Sequence, residues 1–153
     1  MESLNLLSDC QHGFRRHRSC TTQLLEVMNT LTNYIENHEC IDVIYLDFCK
    51  AFDSVPHLRL LNKLQAYGIS GKLLTWIKCF LNNRRQRVRI NGSYSDYCNV
   101  DSGIRQGNIL GPILFIIFIN DLPDNLLSHC KIFADDTKIF NSSINHICLQ
   151  NDL

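Results

Sequence analysis

The stretch "KIFADDTKIF", Lys131 to Phe140, places two adjacent aspartates inside an otherwise apolar run. Ile132, Phe133, Ala134, Ile139 and Phe140 favour burial. A carboxylate buried among them without a partner costs several kcal/mol or shifts its pKa until it is neutral. The segment therefore reads as strand, tight turn, strand, with Asp135 and Asp136 at the tip. Whether the pair is more than a turn signal depends on a third acid elsewhere and on a cation that could join them. A lone Asp-Asp pair is often only a turn, since aspartate is an ordinary turn residue.

The rest of the chain supplies a frame for that hairpin. From Thr22 to Asn37, Leu24, Met28, Leu31 and Ile35 recur at helical spacing, which predicts a buried face, with Thr21 or Thr22 as N-cap. "CIDVIYLDF" is apolar at nearly every position and reads as a strand buried on both faces, ending at Asp47. "HLRLLNKLQAYG" reads as a helix closed by Gly68. "GKLLTWIKCFLNN" reads as another, with Leu73, Leu74, Ile77 and Phe80 on one face. "RQRVRINGSYSDYCNV" alternates around Asn-Gly, a strong hairpin signal. Ser102 to Gly111 is glycine-punctuated loop. Pro112 suits a helix first turn, so "PILFIIFINDL" reads as a buried helix stopped by Pro123. The order helix, strand, two helices, hairpin, helix, hairpin predicts an α+β fold with helices on one face of a small antiparallel sheet.

At 153 residues, 45% apolar and 20% charged, one domain with a real core is expected. A net charge of zero gives no global argument for nucleic-acid binding, so any such case rests on local patches. The most apolar run, Ile109 to Ile119, is too short to span a bilayer, and no membrane partner is expected. The N-terminus shows no secretory signal. Eight scattered cysteines without a CxxC pair read as reduced thiols of an intracellular protein. "CQH" and "HRSC" match no ordinary zinc spacing.

Asp47 ends one strand, and Asp135 with Asp136 caps a hairpin. Three such carboxylates repel one another unless a divalent cation neutralises them. Oxygen-only ligands select Mg²⁺ or Mn²⁺. Two ions about 4 Å apart form the clamp that activates a 3′-hydroxyl and stabilises a leaving pyrophosphate.

Three segments settle the choice in combination. "YLDFCKAFDSVPH" (45 to 57), "GIRQGNILGPILFIIFINDLP" (103 to 123) and "FADDT" (133 to 137) occur in that order. With them the chain resembles the reverse transcriptases of non-LTR, LINE-type retrotransposons, nearest the jockey-like branch. "QHGFRRHRSCTTQLL" (11 to 25) resembles that family's fingers-to-palm segment, and "FLNNRRQRVRINGSYS" (80 to 95) the hairpin before its glutamine loop. The resemblance covers the chain from about Leu7 onward.

It implies a polymerase palm with part of the fingers: about 1–40 as fingers/palm junction and about 41–153 as palm. It implies RNA-directed DNA synthesis, with Asp47, Asp135 and Asp136 as catalytic metal ligands and the carbonyl of Phe48 as a further one. Phe52 matches the steric gate that excludes a ribose 2′-hydroxyl. Gln106 and Gly107 match the nucleotide-pocket loop, and Arg105 is assigned to the template strand or the incoming phosphates. Asp53 reads as structural. "QGN" departs from the commoner "QGS" at Asn108. Arg84, Arg85, Arg87 and Arg89 form a basic cluster assigned to the nucleic acid.

The partners implied are an RNA template, a DNA primer and a deoxynucleoside triphosphate, with no obligate protein partner. An intracellular and nuclear location is expected. The chain is also expected to lack the thumb and the upstream fingers, and so to be inactive alone. The alternative is a non-catalytic relic with residual nucleic-acid binding. A two-metal phosphohydrolase ranks last, because of the six histidines only His57 falls within the three segments 45–57, 103–123 and 133–137.

Overall fold

The computed structural model describes residues 6–143. Along the chain lie α1 (Cys20–Glu36), β1 (Cys40–Leu46), α2 (His57–Ala66), α3 (Gly71–Leu81) and β2 (Arg84–Gln86). There follow β3 (Arg89–Ile90), β4 (Ser93–Tyr94), β5 (Cys98–Val100), α4 (Leu110–Ile119), β6 (His129–Phe133) and β7 (Asp136–Ser143). They form two compact units, one from the stretches up to Cys49 and from Ile119 onward, the other from Lys50–Phe118.

In the first unit, β1, β7 and β6 make an antiparallel sheet in that order. Val43 lies opposite Phe140, Ile44 opposite Ile139 and Leu46 opposite Thr137, while Cys130 pairs with Ile139 from the other side. Strand alternation sends these residues to two faces. On one face Ile44, Leu46, Cys130, Ile132 and Ile139 pack with Cys10, Leu122 and Leu126. On the other lies α1, tied down by the Lys131–Glu26 ion pair and by the Tyr34 and His129 rings, 6.2 Å apart. This is the expected α+β class, a helix against one face of a small antiparallel sheet.

Three expectations for this unit are corrected. Ser19, not threonine, caps α1. Its hydroxyl accepts from the Thr22 amide at 3.1 Å, and the Thr22 hydroxyl accepts from the Ser19 amide at 2.8 Å. This capping box satisfies two donors at once, so the helix starts at Cys20. The buried stripe is also rotated by one residue: Gln23 and Val27 are buried, whereas Leu24, Met28 and Ile35 are about half exposed or more. Adjacent stripes share the same period, so spacing alone does not choose between them. Strand β1 lies at the sheet edge with Tyr45 72% exposed, rather than buried on both faces.

In the second unit α2 packs on α3, and Gly68, at φ +83°, turns the chain out of α2. Asn91 and Gly92 both take positive φ, as a type I′ turn requires, and join β3 to β4. Strands β2 and β5 pair antiparallel. Helix α4 buries Leu114, Phe115, Ile116 and Ile117 in succession, as a helix apolar all round must. The expected stripe of α3 holds at Ile77, whereas Leu73 is 54% exposed and Leu81 is buried. No described helix is long and apolar enough to cross a membrane.

Candidate active site

Leu46 ends β1 opposite Thr137, so the next step of the chain brings Asp47 level with Asp136, the first residue of β7. Both are exposed. They line a cavity of about 200 Å³ together with Cys20, Gln23, Tyr45 and Lys138. Asp135 does not line it. Phe133 pairs with Asp136, which leaves Ala134 and Asp135 as a two-residue loop. A loop residue is off the ladder and does not follow its alternation. Among the described residues no set of three His, Cys, Asp or Glu side chains is arranged to hold a metal ion. The expected convergence of three acids is thus found as a facing pair, with the third acid beside it in the turn.

The donor set of the pair is carboxylate oxygen only, which suits a hard divalent ion. Lys138 lines the same cavity and offsets part of the acidic charge. Gln23 is 2% exposed, and its Nε2 has no hydrogen-bond partner. A buried amide donor left unmatched costs about 1–3 kcal/mol.

The turn is supported from behind. Segment 10–13 runs along the free edge of β6: the Ile132 amide donates to the Cys10 carbonyl at 2.8 Å, and the His12 amide to the Ile132 carbonyl at 2.7 Å. Ala134 sits at φ +58°, a region alanine rarely adopts. Its amide donates to Gln11 Oε1 at 2.9 Å, and Gln11 Nε2 donates to its carbonyl at 3.2 Å. Gly13 passes so close that a Cβ there would lie 2.3 Å from the Ala134 nitrogen. Beside this support His12 is buried against Glu26, 3.5 Å away. Burial holds its pKa below the ordinary 6.5, opposed by Glu26. The Lys131 hydrogen bond holds Glu26 below its ordinary value.

The second unit carries the remaining predicted residues. Phe52 is half-buried and stacks on Phe115, with ring centroids 4.1 Å apart and an 18° tilt. The Phe52 carbonyl accepts from the Ile104 amide at 2.8 Å, and the Val55 carbonyl from the Gly103 amide at 2.9 Å. This fixes the glutamine loop against the turn after Phe52. A Cβ on Gly103 would lie 2.5 Å from the Asp53 carbonyl oxygen, which explains the glycine there. Gln106 donates to Asp53 Oδ1 at 3.3 Å, so Asp53 orders the loop, in keeping with a structural role. Gly107 has φ +78° and open space where a side chain would be. Asn108 Oδ1 accepts from the Gly111 amide at 2.7 Å and caps the start of α4. Serine serves the same purpose at such positions, so the departure from "QGS" preserves the cap.

Lys50, Arg84, Arg85 and Arg105 share a cavity of about 640 Å³ with Asp53, Asp101 and Gln106. Four cations against two carboxylates make it suited to an anion. The four clustered arginines split in role. The Arg84 guanidinium donates to the carbonyls of Leu81 at 2.7 Å, Ser102 at 3.2 Å and Gly103 at 2.5 Å. Burial, then Arg105 nearby, lowers its pKa, while Asp53 opposes the shift. Arg85, Arg87 and Arg89 are exposed and interleave with tyrosines: Arg87 lies 3.8 Å from the Tyr94 ring centre and 4.8 Å from that of Tyr97. Tyr94 and Tyr97 are not among the expected site residues, although aromatic residues opposite arginines in "SYSDY" carry that signal. Gln11 and Gln23 carry no signal of their own, since nothing in a lone glutamine marks burial.

The family profile described as reverse transcriptase (RNA-dependent DNA polymerase) matches residues 1–153. The chain belongs to this reverse transcriptase family. It is 35% identical over 114 residues to the RNA-directed DNA polymerase from mobile element jockey of Drosophila funebris, covering 74% of this chain and 12% of that protein. It is 29% identical over 157 residues to the probable RNA-directed DNA polymerase from transposon BS of Drosophila melanogaster, covering 94% of this chain and 17% of the relative. The chain thus spans under a fifth of the length of these curated relatives. By family it is a nucleotidyltransferase domain of the non-LTR retrotransposon type. An apo telomerase from Candida tropicalis, truncated from its C-terminal domain, shares the fold with a TM-score of 0.66 at 13% identity, over 94% of this chain and 32% of that one.

Proposed function

We propose that this reverse transcriptase domain adds deoxynucleotides to a DNA primer on an RNA template by two-metal nucleotidyl transfer. The observation that carries the reading is the facing of Asp47 and Asp136 across the ends of β1 and β7. These carboxylates would hold the divalent ions, Mg²⁺ or Mn²⁺, with Asp135 and the Phe48 carbonyl as further ligands. When bound, the ions lower the pKa of the primer 3′-hydroxyl and neutralise charge on the leaving pyrophosphate. Phe52 is the sugar gate, held by its stack on Phe115. Gln106 and Gly107 line the nucleotide pocket, and Arg105, with Lys50 beside it, takes the phosphates. Arg85, Arg87 and Arg89 contact the nucleic acid, with Tyr94 and Tyr97 between them for stacking. Arg84 braces the glutamine loop through its three carbonyls. The element acts inside the cell, in the nucleus.

The 153 residues alone polymerise weakly. Holding the primer end in line supplies much of the rate, and a net charge of zero gives little grip on a hybrid. A second reading, a non-catalytic relic that retains nucleic-acid binding, is favoured by the pairing of only two acids in the cavity. Primer extension on RNA with Mg²⁺ separates the two, using this chain and the chain extended at both ends with jockey polymerase sequence. RNA-complementary addition by the extended chain is expected. Binding without any addition supports the relic.

A further inference from the structure

We infer that Gln11 is a positioning residue for the turn that carries Asp135 and Asp136, acting as a peptide group in side-chain form. The inference rests on the metal-site reading above and adds a part to it. In a two-residue hairpin loop the first loop residue has left the ladder, so its N–H and C=O need partners from outside the sheet. A carboxamide offers two N–H donors and an acceptor with two lone pairs, so it can match both the N–H and the C=O of a backbone unit. Gln11 uses both lone pairs and one N–H locally. Its Oε1 accepts from Ala134 at 2.9 Å and from Gly13 at 2.7 Å, and its Nε2 donates to the Ala134 carbonyl at 3.2 Å.

Gln11 is 2% exposed, and its backbone bridges to Ile132 in parallel. Gly13, two residues on, lacks the one atom that would displace the Ala134 nitrogen. "QHG" is thus shaped to one purpose, holding Ala134 at a left-handed φ so that Asp136 starts β7 facing Asp47. A buried glutamine serving only the core would not direct every side-chain bond to the loop and to its own segment.

The test uses the 153-residue chain with Mn²⁺ as probe. In Gln11→Met the Ala134 and Gly13 amides should exchange with deuterium much faster, while Ile139, on the ladder, does not change. Mn²⁺ binding should weaken about 10–100-fold, as when a group orienting metal ligands is removed. Gln11→Glu, its buried carboxyl held neutral so that the O–H donates to the Ala134 carbonyl, keeps the two acceptor bonds, so both amides should stay protected and binding should recover most of the loss. Should Gln11→Met fail to fold, loss of amide protection in Gln11→Glu overturns the assignment. Wild-type Mn²⁺ affinity in a folded Gln11→Met overturns it as well. Asp136→Asn is the separate arm. If it leaves Mn²⁺ binding untouched, the metal-site reading fails, whatever the Gln11 variants show.

Discussion

Replacing Gly13 with alanine adds one methyl group where there is no room for it. The new Cβ would lie 2.3 Å from the Ala134 nitrogen and 3.0 Å from both the Ala134 Cα and the Phe133 carbonyl carbon. Real Cβ contacts stay beyond 3.0 Å, so a shift approaching 1 Å is forced. The neighbours are backbone atoms held by the Gln11 carboxamide and by the β6–β7 ladder, so no flexible side chain can absorb the move. Overpacking of this kind costs about 1–3 kcal/mol, and a rigid neighbour places it at the upper end. With a urea m-value of about 2 kcal/mol/M, the unfolding midpoint should fall by about 1 M or more. Gly92→Ala is the control, since its Cβ meets nothing and only the φ of +86° is strained. It should cost about 1 kcal/mol. If Gly13→Ala unfolds within about 0.5 kcal/mol of wild type, the close approach of this segment to the turn is wrong.

Phe52→Ala in an extended, active chain should admit ribonucleotides more readily and also lose about 2–3 kcal/mol of stability with the Phe115 stack; unchanged sugar selectivity returns Phe52 to the core. His12, kept below its ordinary 6.5 by burial, binds its proton more readily in the unfolded chain. Its contribution is therefore full above about pH 6.5 and lost as the pH falls, with Glu26 adding a loss at lower pH. Urea midpoints measured from pH 7.5 to 5 should decline, and His12→Gln should flatten the upper part of that slope. Arg84→Ala should cost about 2–3 kcal/mol, because three carbonyls lose a charged donor. Arg87→Ala should leave unfolding within about 0.5 kcal/mol and weaken RNA–DNA binding, with a smaller salt slope; the reverse pattern would exchange their roles.

The order of elements was legible because each segment carried its own period and punctuation. Asn91-Gly92 forms its turn, Pro112 lies in the first turn of α4, and the aspartates sit at the β6–β7 tip. What spacing did not reveal depends on long-range contacts. The buried side of α1 was chosen by Gln23 and Val27 rather than by the larger residues next to them, because the sheet and not the helix decides which stripe is covered. The polarity of Gln11 and Gln23 concealed their burial, since polar residues are usually exposed, and the loop partner of Gln11 lies 123 residues away. Asp135 and Asp136 look equivalent in sequence. The ladder separates them, giving one to the strand and the other to the loop.

The most direct test of the catalytic assignment is single-turnover addition of one deoxynucleotide on an RNA template by the extended chain, comparing wild type with Asp47→Asn and Asp136→Asn. Each change removes an anionic ligand while keeping size, so unfolding midpoints should stay close to wild type. The account predicts a fall of at least about 10²-fold in the rate for each variant, as expected when a charge-stabilising group aimed at the reacting atoms is lost. Rates within a few-fold of wild type in either variant would contradict it.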